Sequence, residues 1–285
     1  ELNNMLWFIS ALGTAVCFGV NNTLFKWGAL QHLSKVCIQL FFYWISFFII
    51  LLFTFIKGNF ELHVFPILTG ALIGILNANG NIQMSKAFEK GPASITSTII
   101  AMNTVIVVLA TSLLFPQSIP LTNWVGIIII ILAACIIQYQ PNKTAQVEYK
   151  LWILSCCLAL LSIGTVGVIM KFSTYQHFSV GEMLVSMYGG GAVYLSFLAR
   201  KEFKKLTTHK VEIKIGILVG ILSTIGYSCY LFALKEGPSS VVYPIISLNC
   251  IVVLIGSLII FKERLKKYQL IGIILTLCGV VLTKI

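Results

Sequence analysis

Continuous apolar runs, many of them eighteen or more residues long, constrain the fold of this chain more than any other feature. As helices, runs of this length cross a hydrocarbon core about 30 Å thick. They do not alternate in polarity at every second residue, so they indicate transmembrane helices and not barrel strands. Only 10% of the 285 residues are charged, against about 25% in soluble domains. The sequence therefore predicts an all-α integral membrane protein whose surroundings are the lipid bilayer.

Segmentation of the apolar runs predicts ten transmembrane helices joined by short polar links. They are placed at 5–27, 36–56, 64–86, 94–115, 121–139, 149–171, 181–199, 211–234, 240–261 and 267–284. No basic residue precedes the first run, which is also longer than the apolar part of a signal peptide, so we expect no cleavage there. The eight cysteines form no CxxC pair and are expected to pack as small apolar side chains.

An internal repeat divides the chain. The charged turn AFEKGPAS at 87–94 recurs as ALKEGPSS at 233–240, a shift of 146 residues. The same shift pairs Gly70 with Gly216, Gly74 with Gly220, Gly80 with Gly226, Asn103 with Asn249, Phe115 with Phe261 and Gly126 with Gly272. A shift of 145 pairs Gly19 with Gly164 and Lys26 with Lys171. The sequence thus predicts two five-helix repeats, 1–140 and 149–285, with a linker at 141–148.

An odd number of helices in each repeat has a geometric consequence. The second repeat must enter the membrane from the opposite side, so the two repeats are predicted to be inverted. Inverted repeats commonly build secondary transporters with a binding site near the membrane midplane. The charged turn links the third and fourth helices of each repeat. There Pro92 and Pro238 are expected to begin the next helix without losing a needed N–H.

These features resemble the drug/metabolite transporter superfamily, EamA type. The resemblance rests on the ten helices in two repeats, the two Gly-Pro turns and the closing segment FKERLKKYQLIGIILTLCGV at 261–280, and it covers essentially the whole chain. It implies a transporter with a central cavity walled by helices 1, 3, 4, 6, 8 and 9. Family substrates include amino acids, nucleotide precursors, choline-like cations, phosphate-conjugated sugars and drugs. In the first repeat FPQSIP at 115–120 replaces FKER, which weakens any role for charge there.

Polar side chains at membrane depth are the candidates for a substrate site, because they are costly in lipid unless they face protein or water. The predicted substrate-binding residues are Asn22, Lys26, Asn77, Asn81, Asn103, Lys171, Tyr227, Tyr230, Tyr243 and Asn249. Other roles stay open for some of them. The paired asparagines could join helices by hydrogen bonds. The two lysines lie at helix ends and could extend to the membrane surface.

Acidic residues are absent from the centres of the predicted helices. The chain has no Asp, and its nine Glu and four His all lie in loops or near helix ends. A membrane hydrolase would need an acid/base pair or clustered metal ligands, and a nucleotide-binding loop would need a Gly-rich segment followed by Lys. The sequence predicts neither an enzyme nor a metal or cofactor site. A neutral or zwitterionic substrate held by amides and phenols is favoured, with a lysine available for a carboxylate.

Basic residues predict the orientation in the membrane. The loops after helices 1, 3, 5, 7 and 9 hold sixteen of the twenty Lys and Arg, and the opposite loops hold four. Basic loops stay in the cytoplasm, so both chain ends are predicted to lie outside, although family members are often drawn with both ends in the cytoplasm. The same loops account for the net charge of +11 without a nucleic-acid partner.

We therefore expect a secondary transporter of the cytoplasmic (inner or plasma) membrane. It would move a small polar metabolite, such as an amino acid or an amine, by alternating access, with export as the direction. The alternatives are a membrane receptor or structural subunit without transport, and an importer of a choline-like or nucleoside-like solute. A coupling proton is left open, as is the choice between a monomer and a homodimer.

Overall fold

The protein is all-helical in the residues that its computed structural model describes, which are 2–56, 63–91, 96, 99–100, 102–115, 121–138, 149–200, 210–260 and 266–282. Eleven helices are present there: α1 (Leu2–Leu30), α2 (Lys35–Ile56), α3 (Val64–Lys90), α4 (Asn103–Leu114), α5 (Leu121–Gln138), α6 (Tyr149–Tyr175), α7 (Val180–Ala199), α8 (Lys210–Glu236), α9 (Ser239–Ser247), α10 (Asn249–Ile260) and α11 (Lys267–Leu282). The prediction of an all-α chain is confirmed. Several parts of the sequence fall outside the described residues: Pro92, residues 116–120 of the FPQSIP segment, the linker 141–148, residues 201–209 and the FKER segment at 261–264.

The surface is apolar where a membrane protein meets lipid. Six stretches within the described residues, one of which joins α9 and α10, are long and apolar enough to cross a membrane. Large side chains point outward from several helices, and Leu52, Phe55 and Leu113 are 63%, 62% and 86% exposed. Extended exposed apolar surface marks contact with a membrane or a partner. Together with the helix lengths, it identifies an integral, multi-pass membrane protein.

The predicted ninth helix, 240–261, is interrupted and forms α9 and α10. At the break, the N–H of Leu248 donates to the carbonyl of Ile245 at 3.0 Å, three residues back, and so departs from α-helical spacing. Pro244 within α9 also removes one backbone donor. In the first repeat the N–H of Met102 donates to the Ile99 carbonyl at 3.2 Å, and α4 begins at the next residue. The repeat-paired Asn103 and Asn249 are thus each the first residue of a helix.

The ends of α1 and α6 are built alike. His32 and His177, 145 residues apart, have left-handed φ values of 53° and 56°. In the first turn the N–H of Leu33 donates to the carbonyl of Gly28 at 3.0 Å, and in the second the N–H of Phe178 donates to that of Ser173 at 3.1 Å. This is the Schellman pattern, which satisfies carbonyls at a helix end.

Paired glycines bring helices of the two repeats into backbone contact. A Cβ on Gly74 of α3 would overlap the backbone carbonyl of Met187 in α7. A Cβ on Gly220 of α8 would lie 3.0 Å from the backbone oxygen of Phe42 in α2. Small residues allow membrane helices to approach this closely. The repeats are therefore interleaved, because α3 and α2 of the first pack closely against α7 and α8 of the second.

A tryptophan of the opposite repeat covers each Gly-Pro turn. A Cβ on Gly237 would lie 2.7 Å from the Trp7 ring, and a Cβ on Gly91 would overlap the Trp152 ring. The two tryptophans are themselves 145 residues apart. Pro238 lies one position before α9, at the N-cap with φ −69°, and so precedes the first helical residue that it was expected to occupy.

Candidate substrate cavity

A cavity of about 260 Å³ lies among the helices. Its walls come from α1, α3, α4, α6, α8, α9 and α10, with smaller contributions from α2 and α5. Pockets for drug-sized ligands have volumes of about 300–1,000 Å³. This cavity has room for a small metabolite.

Most of the predicted site residues are brought together in this cavity. Nine of the ten line it: Asn22, Lys26, Asn77, Asn81, Asn103, Tyr227, Tyr230, Tyr243 and Asn249. The tenth, Lys171, is not among the lining residues. It is buried in α6, and its Nζ donates to the backbone oxygen of Leu234 at 3.0 Å.

The amide side of the cavity links helices as well as lining it. Asn77 donates through Nδ2 to the Tyr43 hydroxyl at 2.8 Å. The Tyr43 hydroxyl in turn donates to the carbonyl oxygen of Gly74 at 3.3 Å. Asn21, which also lines the cavity, donates to the Ser223 hydroxyl at 2.8 Å and so connects the two repeats. Asn77 and Asn21 thus line the cavity and also join helices by hydrogen bonds.

Aromatic rings form another wall of the cavity. Phe18 lies 4.7 Å from Tyr227 and 6.0 Å from Tyr230, measured between ring centroids, and Tyr230 lies 6.2 Å from Tyr243. The hydroxyl of Tyr243 donates to the Gly167 carbonyl at 2.7 Å. Such a wall can stack against a flat or apolar part of a small molecule.

Several lining residues were not in the predicted set: Phe18, Asn21, Phe25, Phe42, Thr104, Ser223 and Ser247. Phe18 precedes Asn22 by one helical turn, so its position on the same face of α1 was available from spacing. Being a phenylalanine did not indicate a cavity-lining position, because other phenylalanines of this chain, such as Phe55, are exposed on the lipid-facing surface.

Lys26 is the one ionised side chain among the described lining residues, which include no carboxylate. Two buried glutamates lie elsewhere, at helix starts. Glu182 accepts the backbone N–H of His63, just before α3, at 3.2 Å. Glu212 accepts the backbone N–H of Ser34, just before α2, at 3.5 Å. Carboxylates are stabilised near helix N-termini.

Among the described residues, the cavity lining reaches one end of the helix bundle. Its lining includes Lys26, Phe88 and Ile137, which lie near the C-terminal ends of α1, α3 and α5. Near the opposite end, Leu234 and Val242 are fully buried, with 0% exposure. The two ends of the bundle therefore differ, although the repeats share their packing contacts.

Comparisons with known proteins agree with this architecture. One solved crystal structure of a protein superposes with a TM-score of 0.76, over 100% of this chain and 99% of the other, at 11% sequence identity. At this identity the likeness shows the fold alone. Comparison with curated proteins gave no significant match.

The family follows from the sequence itself. Residues 5–139 and 150–285 each match the profile of the EamA-like transporter family, as expected for a helical membrane protein with two related halves. The members of this family are transporters, which agrees with the prediction that the chain is not an enzyme. Since the two matches span nearly the whole chain, the protein belongs to the EamA-like transporter family.

Proposed function

We propose that this protein is a secondary transporter that exports a small polar metabolite across the cytoplasmic membrane by alternating access. The observation that carries the proposal is the cavity of about 260 Å³, where amides and phenols from both repeats converge. A site between two repeats near the membrane midplane is the usual arrangement in transporters of this design.

The proposal includes ten transmembrane helices in two inverted repeats. It is supported by contacts that occur in both halves of the chain: the left-handed His32 and His177 turns, and the tryptophans that cover Gly91 and Gly237. Because these local structures are shared, the two repeats can exchange conformations. Such an exchange would close one mouth of the cavity and open the other.

The charge of the cavity favours a zwitterionic substrate, such as an amino acid, over a simple amine. The described lining offers the ammonium of Lys26 and no carboxylate. An amine without an acid group would enter without a counter-charge, whereas the carboxylate of an amino acid can pair with Lys26. We further propose that Asn22, Asn81 and Asn249 bind the substrate's polar end and Tyr227, Tyr230 and Tyr243 its apolar part.

Export is the proposed direction. The cavity lining reaches the C-terminal ends of α1, α3 and α5, on the side whose loops and helix ends are predicted to hold sixteen of the twenty Lys and Arg. The positive-inside rule assigns those loops to the cytoplasm. The cavity would then face the compartment from which an exporter takes its substrate.

Counterflow in proteoliposomes tests this function. The purified protein is reconstituted into vesicles loaded with an unlabelled amino acid, and uptake of the same labelled amino acid is followed beside a matched amine. We expect Asn81→Ala to reduce flux by about tenfold or more, the loss of a hydrogen bond to a charged group. Asn79→Ala is the matched control, because Asn79 lies on the same helix and bonds to Ser162 at 3.2 Å, away from the cavity.

The outcomes separate the candidate functions. Flux of amino acids that Asn81→Ala abolishes supports the proposal. Saturable binding without flux would identify a receptor. Flux of choline-like or nucleoside-like solutes alone would contradict the proposed substrate class.

A further inference from the structure

Two repeat-paired lysines have different surroundings. Lys26 on α1 and Lys171 on α6 are 145 residues apart and occupy equivalent positions in the two repeats. Lys26 is half-buried and lines the cavity. Lys171 is buried, with 7% exposure, at the end of the bundle toward which the cavity does not extend. The shared sequence therefore places the same ammonium in two different environments.

The Gly-Pro turn explains what Lys171 does at the closed end. In an α-helix the carbonyl of Leu234 would accept the N–H of residue 238, but that residue is Pro238, which has no N–H. Lys171 supplies the missing donor at 3.0 Å. A cation at a helix C-terminus is also favoured by the helix dipole. The bond joins α6 to the end of α8 at the closed mouth.

The first repeat contains the same arrangement of residues. Pro92 follows Phe88 by four positions, as Pro238 follows Leu234, so the residue that would donate to the Phe88 carbonyl in a continuing helix is again a proline without an N–H. Phe88 and Lys26 both line the cavity. The first repeat thus holds the counterparts of Lys171 and Leu234 at the mouth toward which the cavity extends.

We propose that Lys26 and Lys171 exchange places when the transporter changes state, an inference that rests on the proposed alternating access. In the opposite-facing state, Lys171 leaves the Leu234 carbonyl and enters the cavity. Lys26 then takes the buried position beside the end of α3, where it caps the Phe88 carbonyl. Each lysine therefore stabilises the closed mouth of its own side, and one ammonium faces the substrate in either state.

The exchange has a consequence for the substrate. A carboxylate would meet an ammonium both on loading and on release, so its negative charge would be neutralised on both sides of the membrane. Lys171 is then a substrate-contacting residue of the state that is not seen here. It was predicted as a site residue, yet in this structure it lies outside the cavity lining.

Thiol labelling tests the exchange without a known substrate. In a variant whose eight native cysteines are replaced, a reporter is placed at the closed mouth (Ser240→Cys, 5% exposed in the parent) or in the cavity (Met84→Cys). The labelling rate with a small charged maleimide is measured on the purified protein in detergent. We expect Lys171→Met, which removes the side-chain donor, to raise the labelling rate at Ser240→Cys by about tenfold, because one hydrogen bond from a charged group is lost, and to lower the rate at Met84→Cys. Lys171→Arg keeps the donor and should keep the parent rates.

Lys26→Met is the reciprocal test. Because it removes the donor that stabilises the opposite-facing state, it should lower the labelling rate at Ser240→Cys. This variant decides the question if Lys171→Met does not fold. An unchanged rate at Ser240→Cys in these variants would overturn the exchange, as would a rise at both reporters, which would indicate general loosening. Counterflow tests the transport proposal separately from the labelling. If labelling responds as expected but no flux is found, the transport proposal is wrong while the two-state exchange stands.

Discussion

The side-chain amide of Asn77 donates a hydrogen bond to the hydroxyl of Tyr43 at 2.8 Å. Asn77 faces the cavity from α3, and Tyr43, with 0% exposure, lies behind it in α2. A residue proposed to contact substrate therefore also supports the packing of two helices. Asn81, one turn further along α3, lines the same cavity, so the two asparagines allow binding and stability to be separated.

Asn77→Ala is expected to lower both flux and stability. It leaves the buried Tyr43 hydroxyl without its donor, at a cost of about 1–3 kcal/mol. Asn81→Ala is expected to lower flux with little change in stability. Thermal melting of the purified variants, beside counterflow, checks the difference. Equal melting temperatures for Asn77→Ala and the parent would contradict the supporting role of Asn77.

Gly237→Ala is expected to reduce the yield of folded protein. Its Cβ would lie 2.7 Å from the Trp7 ring and 2.9 Å from the Ala233 carbonyl, so the turn or the tryptophan must move. Gly13→Ala is the control, because among the described residues its Cβ would meet only the Cys229 sulfur, at 3.9 Å. Size-exclusion chromatography of the two variants gives the comparison. A normal yield for Gly237→Ala would show that the turn tolerates the added methyl group.

Pro238 is expected to matter for folding more than for substrate affinity. It precedes α9 at its N-cap, and its carbonyl accepts the N–H groups of Val241 and Val242, both at 3.0 Å. Pro238→Ala frees the φ angle of the turn in the unfolded chain, which disfavours folding by about 0.4–1 kcal/mol. The same change at Pro92, which lies outside the described residues, should act in the same direction. Unchanged melting together with weakened binding would instead place the turns in the site.

His177 should tolerate glycine and reject valine. Its φ of 56° is easily adopted by glycine but is strained for a β-branched residue. His177→Gly is expected to melt at or above the parent temperature, and His177→Val below it by an amount equivalent to about 1–2 kcal/mol. At the preceding Gln176, whose N–H still bonds to Phe172 in helical fashion, glycine should instead destabilise. If glycine lowered the melting temperature at position 177 but not at position 176, the explanation from the backbone φ angle would be disproved.

Orientation is testable from outside the cell. In intact cells carrying a variant without reactive native thiols, Lys204→Cys should be protected from a membrane-impermeant maleimide, and Asn59→Cys should react. Both positions lie outside the described residues, in loops that the sequence predicts, and the expectation comes from the excess of basic residues on one side. The opposite labelling pattern would place the cavity mouth outside the cell and contradict export as the direction in which the cavity is loaded.

Much of the architecture was accessible from sequence because it is repeated. The 146-residue shift that pairs Asn103 with Asn249 also predicted two related halves, and both asparagines line the cavity. A polar side chain in a predicted transmembrane helix was a strong signal for a site residue, because few polar side chains can be tolerated in lipid. The family assignment rests on the same pattern, and the profile matches confirm it.

Other features were not accessible, for physical reasons. A sequence repeat is nearly symmetric, but a transporter in one state is not. The repeat therefore could not show that Lys26 lines the cavity while Lys171 does not. The interruption of the ninth helix was missed because hydropathy averaged over the run carries no information about backbone hydrogen bonds, although Pro244 was a sequence signal for a break. Trp7 and Trp152 read as ordinary apolar residues, because their contact with the Gly-Pro turns of the other repeat depends on packing.

The interleaved glycine contacts bear on how the protein is made. Chains are synthesised from the N-terminus, and domains generally fold in that order. The Gly74 face of α3, however, packs against Met187 of α7, which belongs to the second repeat. Until the ribosome has produced that later helix, this face must remain in the bilayer without its native partner. The repeat is therefore a unit of sequence but not of folding, and each half depends on the other to finish its assembly in the membrane.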